Sequence, residues 1–453
     1  MKLDIVILAA GQGTRMHSDL PKVLHRVAGK PMLGHVIECA RACSPQNIHV
    51  VVGHDAQQVK AAVQDDSLCW WIQEQQLGTG HAVQQAVPGL SDDHDVLVLY
   101  GDVPLLAHTT LQPVIRELSR HDLVLLSATL KDPTGYGRIV RDSGNRVQKI
   151  VEQQDADEGT LSIREVNTGV LATRAVLLKQ WLARIGPDNV QQEYYLTDCI
   201  GLATQDGRRV EAVVCEDADE VLGINDKIQL MQVERICQYR TAERLMAQGV
   251  SVLDPRRIDV RGELVAGRDV EIDVNTVFEG SNRLADRVRV GANTVLVNTS
   301  IGAGTRIHPN CHIENAEIGC DCNLGPFARI RPETRLADNV SVGNFVEIKK
   351  SDIKTGSKIG HLSYIGDSDV GEQVNVGAGV ITCNYDGVSK HRTVIGNRVF
   401  VGSDTQLVAP VVIGDGATIG AGSTITKNAP GDRLSLARSK QVTLKNWKRP
   451  EKE

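Results

Sequence analysis

Residues Ile301 to Ile425 repeat a six-residue pattern, and that repeat restricts half of the chain to one class of fold. Ile395, Val401, Leu407, Ile413 and Ile419 open five hexads in register, most of them followed by Gly. Ile318-Gly, Leu324-Gly, Val342-Gly, Ile359-Gly, Ile365-Gly, Val370-Gly and Val376-Gly carry the pattern upstream with one-residue slips. Six is not a helical period. A short strand with one aliphatic residue pointing inward, followed by a tight turn, does fit it. One unit cannot bury its own apolar face, so successive units must stack around a continuous aliphatic column. The expected product is a solenoid of short parallel strands, a scaffold that by itself specifies no chemistry.

Composition narrows the remainder. A chain of 453 residues holds two or three domains. An aromatic content of 3% suits a Gly- and Val-rich solenoid, and a net charge of −6 argues against nucleic acid as a partner. The ten Cys contain no C-x-x-C pair. Cys320 and Cys322 read as small residues filling solenoid positions. Cys39, Cys43, Cys69, Cys199, Cys215 and Cys237 are scattered, as expected of reduced thiols in a cytoplasmic protein. The apolar run Ile5 to Ala10 is too short for a signal peptide or a membrane span, and no other run is longer, so no membrane partner is expected.

Residues 1–226 alternate strand-like and helix-like segments. The runs starting at Asp4, His49 and Asp95 are continuously apolar and end in Gly or Asp, with helix-like stretches at Pro31 to Ala42 and Thr79 to Val87. This is the pattern of an open α/β sheet of Rossmann-like type, which binds ligands at the carboxyl ends of its strands. Over residues 227–247 apolar residues recur at helical spacing among charges, which predicts one connecting helix ended by Gly249. Residues 248–453 form the solenoid with a basic tail of Arg433, Arg438, Lys440, Lys445, Lys448, Arg449 and Lys452. The tail reads as a solvated basic end or as a phosphate-binding cap.

The first strand runs into Leu8-Ala9-Ala10-Gly11-Gln12-Gly13-Thr14-Arg15-Met16, with Pro21-Lys22 beyond. Gly11 and Gly13 allow close backbone approach to a phosphate, and Arg15 and Lys22 add charge suited to a triphosphate. Met16 breaks the G-x-G-x-x-G fingerprint, which argues against a nicotinamide cofactor. This segment resembles the signature of the sugar-phosphate nucleotidyltransferases. Gln73 and Gly78-Thr79-Gly80-His81 resemble that family's base-recognition segment, and Tyr100-Gly101-Asp102 its metal-binding strand end. Gly137, Glu152, Asn167 and Asn225 match its sugar and metal positions. The resemblance implies nucleotide and sugar-phosphate binding by Leu8, Ala9, Ala10, Gly11, Gly13, Lys22, Gln73, Gly78, Thr79, Tyr100, Gly101, Asp102, Gly137, Glu152, Asn167 and Asn225. It implies Mg²⁺ on Asp102 and Asn225, and catalysis by Arg15 and Lys22.

Within the solenoid, Arg331, Lys349, His361, Tyr364, Asn375, Asn384 and Tyr385 concentrate cations and hydrogen-bonding groups unlike the rest of the repeat. The segment Thr382 to Arg392 interrupts the hexads, so it must bulge from the column, and such excursions carry function. Joined to the first half, this pattern resembles the bifunctional sugar-phosphate uridylyl- and acetyltransferase family, with a left-handed parallel β-helix as second domain. The resemblance implies that glucosamine-1-phosphate is acetylated by acetyl-CoA, and that UTP then converts N-acetylglucosamine-1-phosphate to UDP-N-acetylglucosamine. His361 would be the general base, because imidazole titrates near neutral pH. Arg331, Lys349, Tyr364 and Asn375 would bind the sugar phosphate. Ala378, Asn384, Tyr385, Ser403, Ala421 and Arg438 would contact acetyl-CoA. The family forms homotrimers. Two other readings stand beside this one: a single-activity nucleotidyltransferase with a scaffolding solenoid, and a non-catalytic assembly subunit. His361, Lys349 and the bulged segment weigh against the first, and Arg15, Lys22, Asp102 and Asn225 against the second.

Overall fold

A computed structural model describes residues 2–450; Lys452 lies outside them. The chain divides into two compact units, Met1–Cys237 and Gln238–Glu453.

In the first unit, the strands follow the order Val210–Val214, Leu123–Thr129, Glu165–Arg174, Asp95–Tyr100, Leu3–Ala9, Asn47–Val52 and Cys69–Ile72. All neighbours pair in parallel except Glu165–Arg174, which is antiparallel to both of its neighbours. A hairpin of Arg138–Arg141 and Val147–Val151 joins the antiparallel strand. Ile5, Ile7, Leu97 and Leu99 pack into one core, and Val6, Leu8, Val96 and Val98 into another on the opposite face. Burial on both faces explains why these strands read as unbroken apolar runs. From Leu3–Ala9 the sheet grows through Asn47–Val52 on one side and Asp95–Tyr100 on the other. The boundary between Leu3–Ala9 and Asp95–Tyr100 is therefore a topological switch point, where such sheets open a crevice at their carboxyl ends.

One helix runs Lys227–Ala247, and Gly249 follows it at φ 96°. In the first unit Val233, with Leu230 and Cys237, packs against Val27, Met32 and Ile224.

The second unit is a parallel β-helix. Ile301 stands against Ile318, and Arg329 against Glu347, so one coil takes 17 or 18 residues, three hexads. One inward column contains Ile318, Leu336, Ile353, Val370, Ile395 and Ile413. A second contains Ile307, Leu324, Val342, Ile359, Val376, Val401 and Ile419. All of these residues are buried in a single core. One coil is longer. Ser368 stands against Thr393 and Ile381 against Gln406, 25 residues on, which places the excursion where the hexads fail. Thr382 takes an inward slot at the point of departure, and its hydroxyl donates to the carbonyl of Gly366 at 3.2 Å. All ten cysteines are free. Among the described residues no helix is long and apolar enough to cross a membrane.

Candidate active sites

The first site lies at the switch point. Leu8, Ala9, Ala10, Gly11, Lys22, Gln73, Gly78, Thr79, Tyr100 and Asp102 line one cavity of about 440 Å³. Gly13 turns the chain out of the cavity at φ 62°. A Cβ there would stand 2.6 Å from the Cβ of Lys22, so only Gly lets the loop lie against that side chain. The Lys22 ammonium donates to Asp102 Oδ2 at 2.5 Å and to Asn225 Oδ1 at 3.2 Å. Both partners are set by backbone: Gly101 N–H donates to the Leu8 carbonyl, and Ile224 N–H to that of Asp102. A cation is thus held between a carboxylate and an amide oxygen, largely shielded from solvent. Arg15 stands exposed and joins no ion pair among the described residues.

The residues expected to recognise base and sugar fall on different elements. Gln73 is buried, and its amide nitrogen donates to the Gly78 carbonyl at 3.1 Å. Thr79 Oγ1 accepts from Leu196 N–H. Asn167 N–H donates to the Gly137 carbonyl, and Asn167 Oδ1 accepts from Gly169 N–H. Gly169 sits in a strand irregularity at φ 86°, where a Cβ would strike the Tyr100 ring at 2.4 Å. Glu152 accepts from Thr197 Oγ1 at 3.1 Å. Burial, opposed by that hydrogen bond and reinforced by Asp155 and Asp198, pushes the Glu152 carboxyl above the usual glutamate range. Gly13, Gly101, Gly137, Glu152, Asn167 and Asn225 are not among the residues lining the cavity; hydrogen bonds tie Gly101 to Leu8 and Asn225 to Lys22 in its wall. Sequence reasoning missed Gln12, Gln76 and Glu193, which do line it. No local signal marks Glu193, more than a hundred residues from Gly78; hydrogen bonds of Tyr194 to Leu77 and Gly80, and of Leu196 to Thr79, bring it there.

The second site lies along one corner of the β-helix. The Gly379 N–H donates to the carbonyl of His361, Asp404 N–H to that of Ala378, and Gly422 N–H to that of Ser403. Arg438 donates to the Ala421 carbonyl at 2.8 Å. His361, Ala378, Ser403 and Ala421 therefore stack on successive coils, although the sequence scatters them over sixty residues. His361 is exposed, and its Nδ1 lies 2.7 Å from Asn344 Oδ1. An amide oxygen can only accept, so in the neutral ring Nδ1 carries the proton and Nε2 the lone pair. Leu362, next along, holds φ 49°, a conformation that costs a bulky residue about 1–2 kcal/mol.

Beside this corner, Arg331 pairs with Glu347 at 2.8 Å. Asn384 is buried and donates to Asp367 Oδ2 at 2.5 Å and to the Tyr364 hydroxyl at 3.4 Å. Tyr385 opens the excursion, bridged to Lys390, and its hydroxyl donates to the Gly387 carbonyl. Lys390 was not foreseen. The close approach of Lys349 and its positive charge hold the Lys390 ammonium below its usual range. Two ammonium groups facing each other are a ready site for a shared anion. Asn375 is not drawn into this group; it lies on an exposed rung between Lys358 and Phe400.

Known proteins match this arrangement. The model of the MobA-like NTP transferase domain matches residues 5–162, and that of the bacterial transferase hexapeptide, in six repeats, matches residues 392–427. A protein of Aromatoleum aromaticum is 55% identical over 450 residues, 99% of each chain. One of Cupriavidus pinatubonensis is 54% identical over 450 residues, again 99% of each. One of an Azoarcus species is 54% identical over 451 residues, the full length of both. All three carry the name bifunctional protein GlmU. With a nucleotidyltransferase unit and a hexapeptide acyltransferase unit joined as in these relatives, the chain belongs to the GlmU family of bifunctional transferases.

Proposed function

We propose that residues 248–453 acetylate glucosamine-1-phosphate with acetyl-CoA, and that residues 1–226 then transfer UMP from UTP to the product. The helix of residues 227–247 connects them. The products are UDP-N-acetylglucosamine and pyrophosphate. The observation that carries the reading is Lys22, held between Asp102 and Asn225 at the wall of the nucleotide cavity.

In uridylyl transfer a sugar-phosphate oxygen bonds to the α-phosphorus of UTP while the bond to the β-phosphate oxygen breaks. Several negative charges meet, so catalysis is mainly positioning and neutralisation. Lys22 and Arg15 supply charge, Gln73, Gly78 and Thr79 hold the base, and Gly137, Glu152 and Asn167 hold the sugar. Asp102 and Asn225 suit Mg²⁺, because their two hard oxygens already converge on a cation. No group of three or more His, Cys, Asp or Glu competes for a metal among the described residues. A sparse protein set is what Mg²⁺ uses when phosphates and water complete its shell. Once bound, it would neutralise phosphate charge.

In acetyl transfer the sugar nitrogen attacks the thioester carbon, His361 Nε2 takes the nitrogen's proton, and the thiolate of CoA departs. Arg331, Lys349 and Lys390 receive the sugar phosphate, and Tyr364 the sugar. Ala378, Asn384, Tyr385, Ser403, Ala421 and Arg438 border the acetyl-CoA groove. His361, Ala378, Ser403, Ala421 and Arg438 line one solenoid corner, which favours a homotrimer in which neighbouring coils complete each pocket. Both cosubstrates are cytoplasmic metabolites, consistent with a cytoplasmic enzyme acting without nucleic acid or membrane. Separate assays of the purified chain for UTP-dependent and acetyl-CoA-dependent product test the reading. Both products are expected; loss of the second alone would leave a nucleotidyltransferase on a scaffold.

A further inference from the structure

Gln76 brackets the glycine loop of the first site. Its Nε2 donates to the Ala10 carbonyl at 3.2 Å, and its Oε1 accepts from Gln12 Nε2 at 2.6 Å. The two contacts fall on either side of Gly11. Gly53, at the end of the neighbouring strand, makes room for them: a Cβ there would stand 2.6 Å from both the Ala10 oxygen and Gln76 Nε2. Three strand ends thus meet on one amide. Gln12 and Gln76 also line both the nucleotide cavity and a second cavity of about 410 Å³. The second cavity shares Gly11 and Lys22 but opens toward His54, Asp55 and Glu74. The Gln12–Gln76 pair stands between the two.

We infer that Gln76 is a positioning residue for uridylyl transfer, fixing the Ala10–Gly13 loop in the form that receives a nucleoside triphosphate and keeping the loop out of the second cavity. The inference rests on the nucleotide reading of this site. Gly loses more conformational freedom on ordering than any other residue, so a Gly-Gln-Gly loop is costly to hold still. The bracket settles that cost during folding. Without it the nucleotide must order the loop, which weakens ground-state and transition-state binding alike and leaves the chemical step unaltered.

The test uses the full chain and measures KM and kcat for UTP in wild type, Gln12→Ala, Gln76→Met, Gly53→Ala and Gln12→Ala/Gln76→Met. Met keeps the length of Gln and removes both hydrogen bonds. KM for UTP should rise about fivefold in Gln76→Met, the scale of one hydrogen bond, with kcat within about twofold of wild type. Gly53→Ala, whose methyl would crowd both Gln76 and the Ala10 carbonyl, should raise KM at least as far. The double variant should be no worse than Gln76→Met alone, because Gln12 acts through Gln76. An unchanged melting temperature separates these effects from misfolding. A wild-type KM in Gln76→Met, or additive effects in the double variant, would overturn the inference. A wild-type chain that fails to use UTP would instead overturn the nucleotide reading itself.

Discussion

Replacing Asn344 tests whether its amide prepares His361 to act as the proposed base. The 2.7 Å contact to Asn344 Oδ1 commits the Nδ1 proton and leaves Nε2 as the lone-pair nitrogen. Asn344→Ala removes one exposed hydrogen bond, a contribution of roughly 0.5–1.5 kcal/mol, so kcat for acetyl transfer should fall about two- to tenfold. His361→Ala removes the base itself and should cost about 10²–10⁴-fold. Asn344→Asp separates orientation from charge. It keeps an acceptor on Nδ1 but adds a negative charge that favours imidazolium. Protonated imidazole cannot accept a proton, so the acid limb of the pH–rate profile should move to higher pH, by about one unit. Steady-state acetylation of glucosamine-1-phosphate across pH, with uridylyl transfer followed in the same samples, measures all three. If Asn344→Asp leaves the acid limb in place while His361→Ala is inactive, Asn344 does not govern the imidazole. If His361→Ala stays within a few-fold of wild type, another group or water is the base.

Asp102→Ala should abolish Mg²⁺-dependent uridylyl transfer and leave acetyl transfer near wild type; equal loss of both would deny a local role. A fragment ending at residue 226 lacks Leu230 and Val233, which pack against Val27, Met32 and Ile224 beside Asn225, so it should melt below a fragment ending at residue 247. Calorimetry of the two compares them. Burial raises the Glu152 carboxyl, so the folded protein holds a proton that the unfolded chain releases at lower pH. Stability relative to Glu152→Gln should thus be greatest below the unfolded glutamate value and decline as pH rises through the raised one, read as a widening melting-temperature gap. Light scattering should give a trimeric mass, and an active monomer would refute shared pockets.

The hexad period alone dictated a stack of short parallel strands, because an aliphatic residue every sixth position has no other way to be buried. The apolar runs of the first half likewise announced a sheet covered on both faces, and Gly11, Gly13, Lys22 and Asp102 declared themselves through loop chemistry at strand ends. These features are local: each is a spacing or a composition within a dozen residues. What the sequence could not convey is which distant side chains share a pocket. Lys22, Asp102 and Asn225 meet only because three segments end at one switch point of the sheet. Asn344 lies one coil below His361, and Lys390 reaches Lys349 only through the longer coil. Gln76 closes on Gln12 only because Gly53 stands aside. Hydrogen bonds and ion pairs depend on separations of about 3 Å, which strand order and coil register set and which no periodicity encodes.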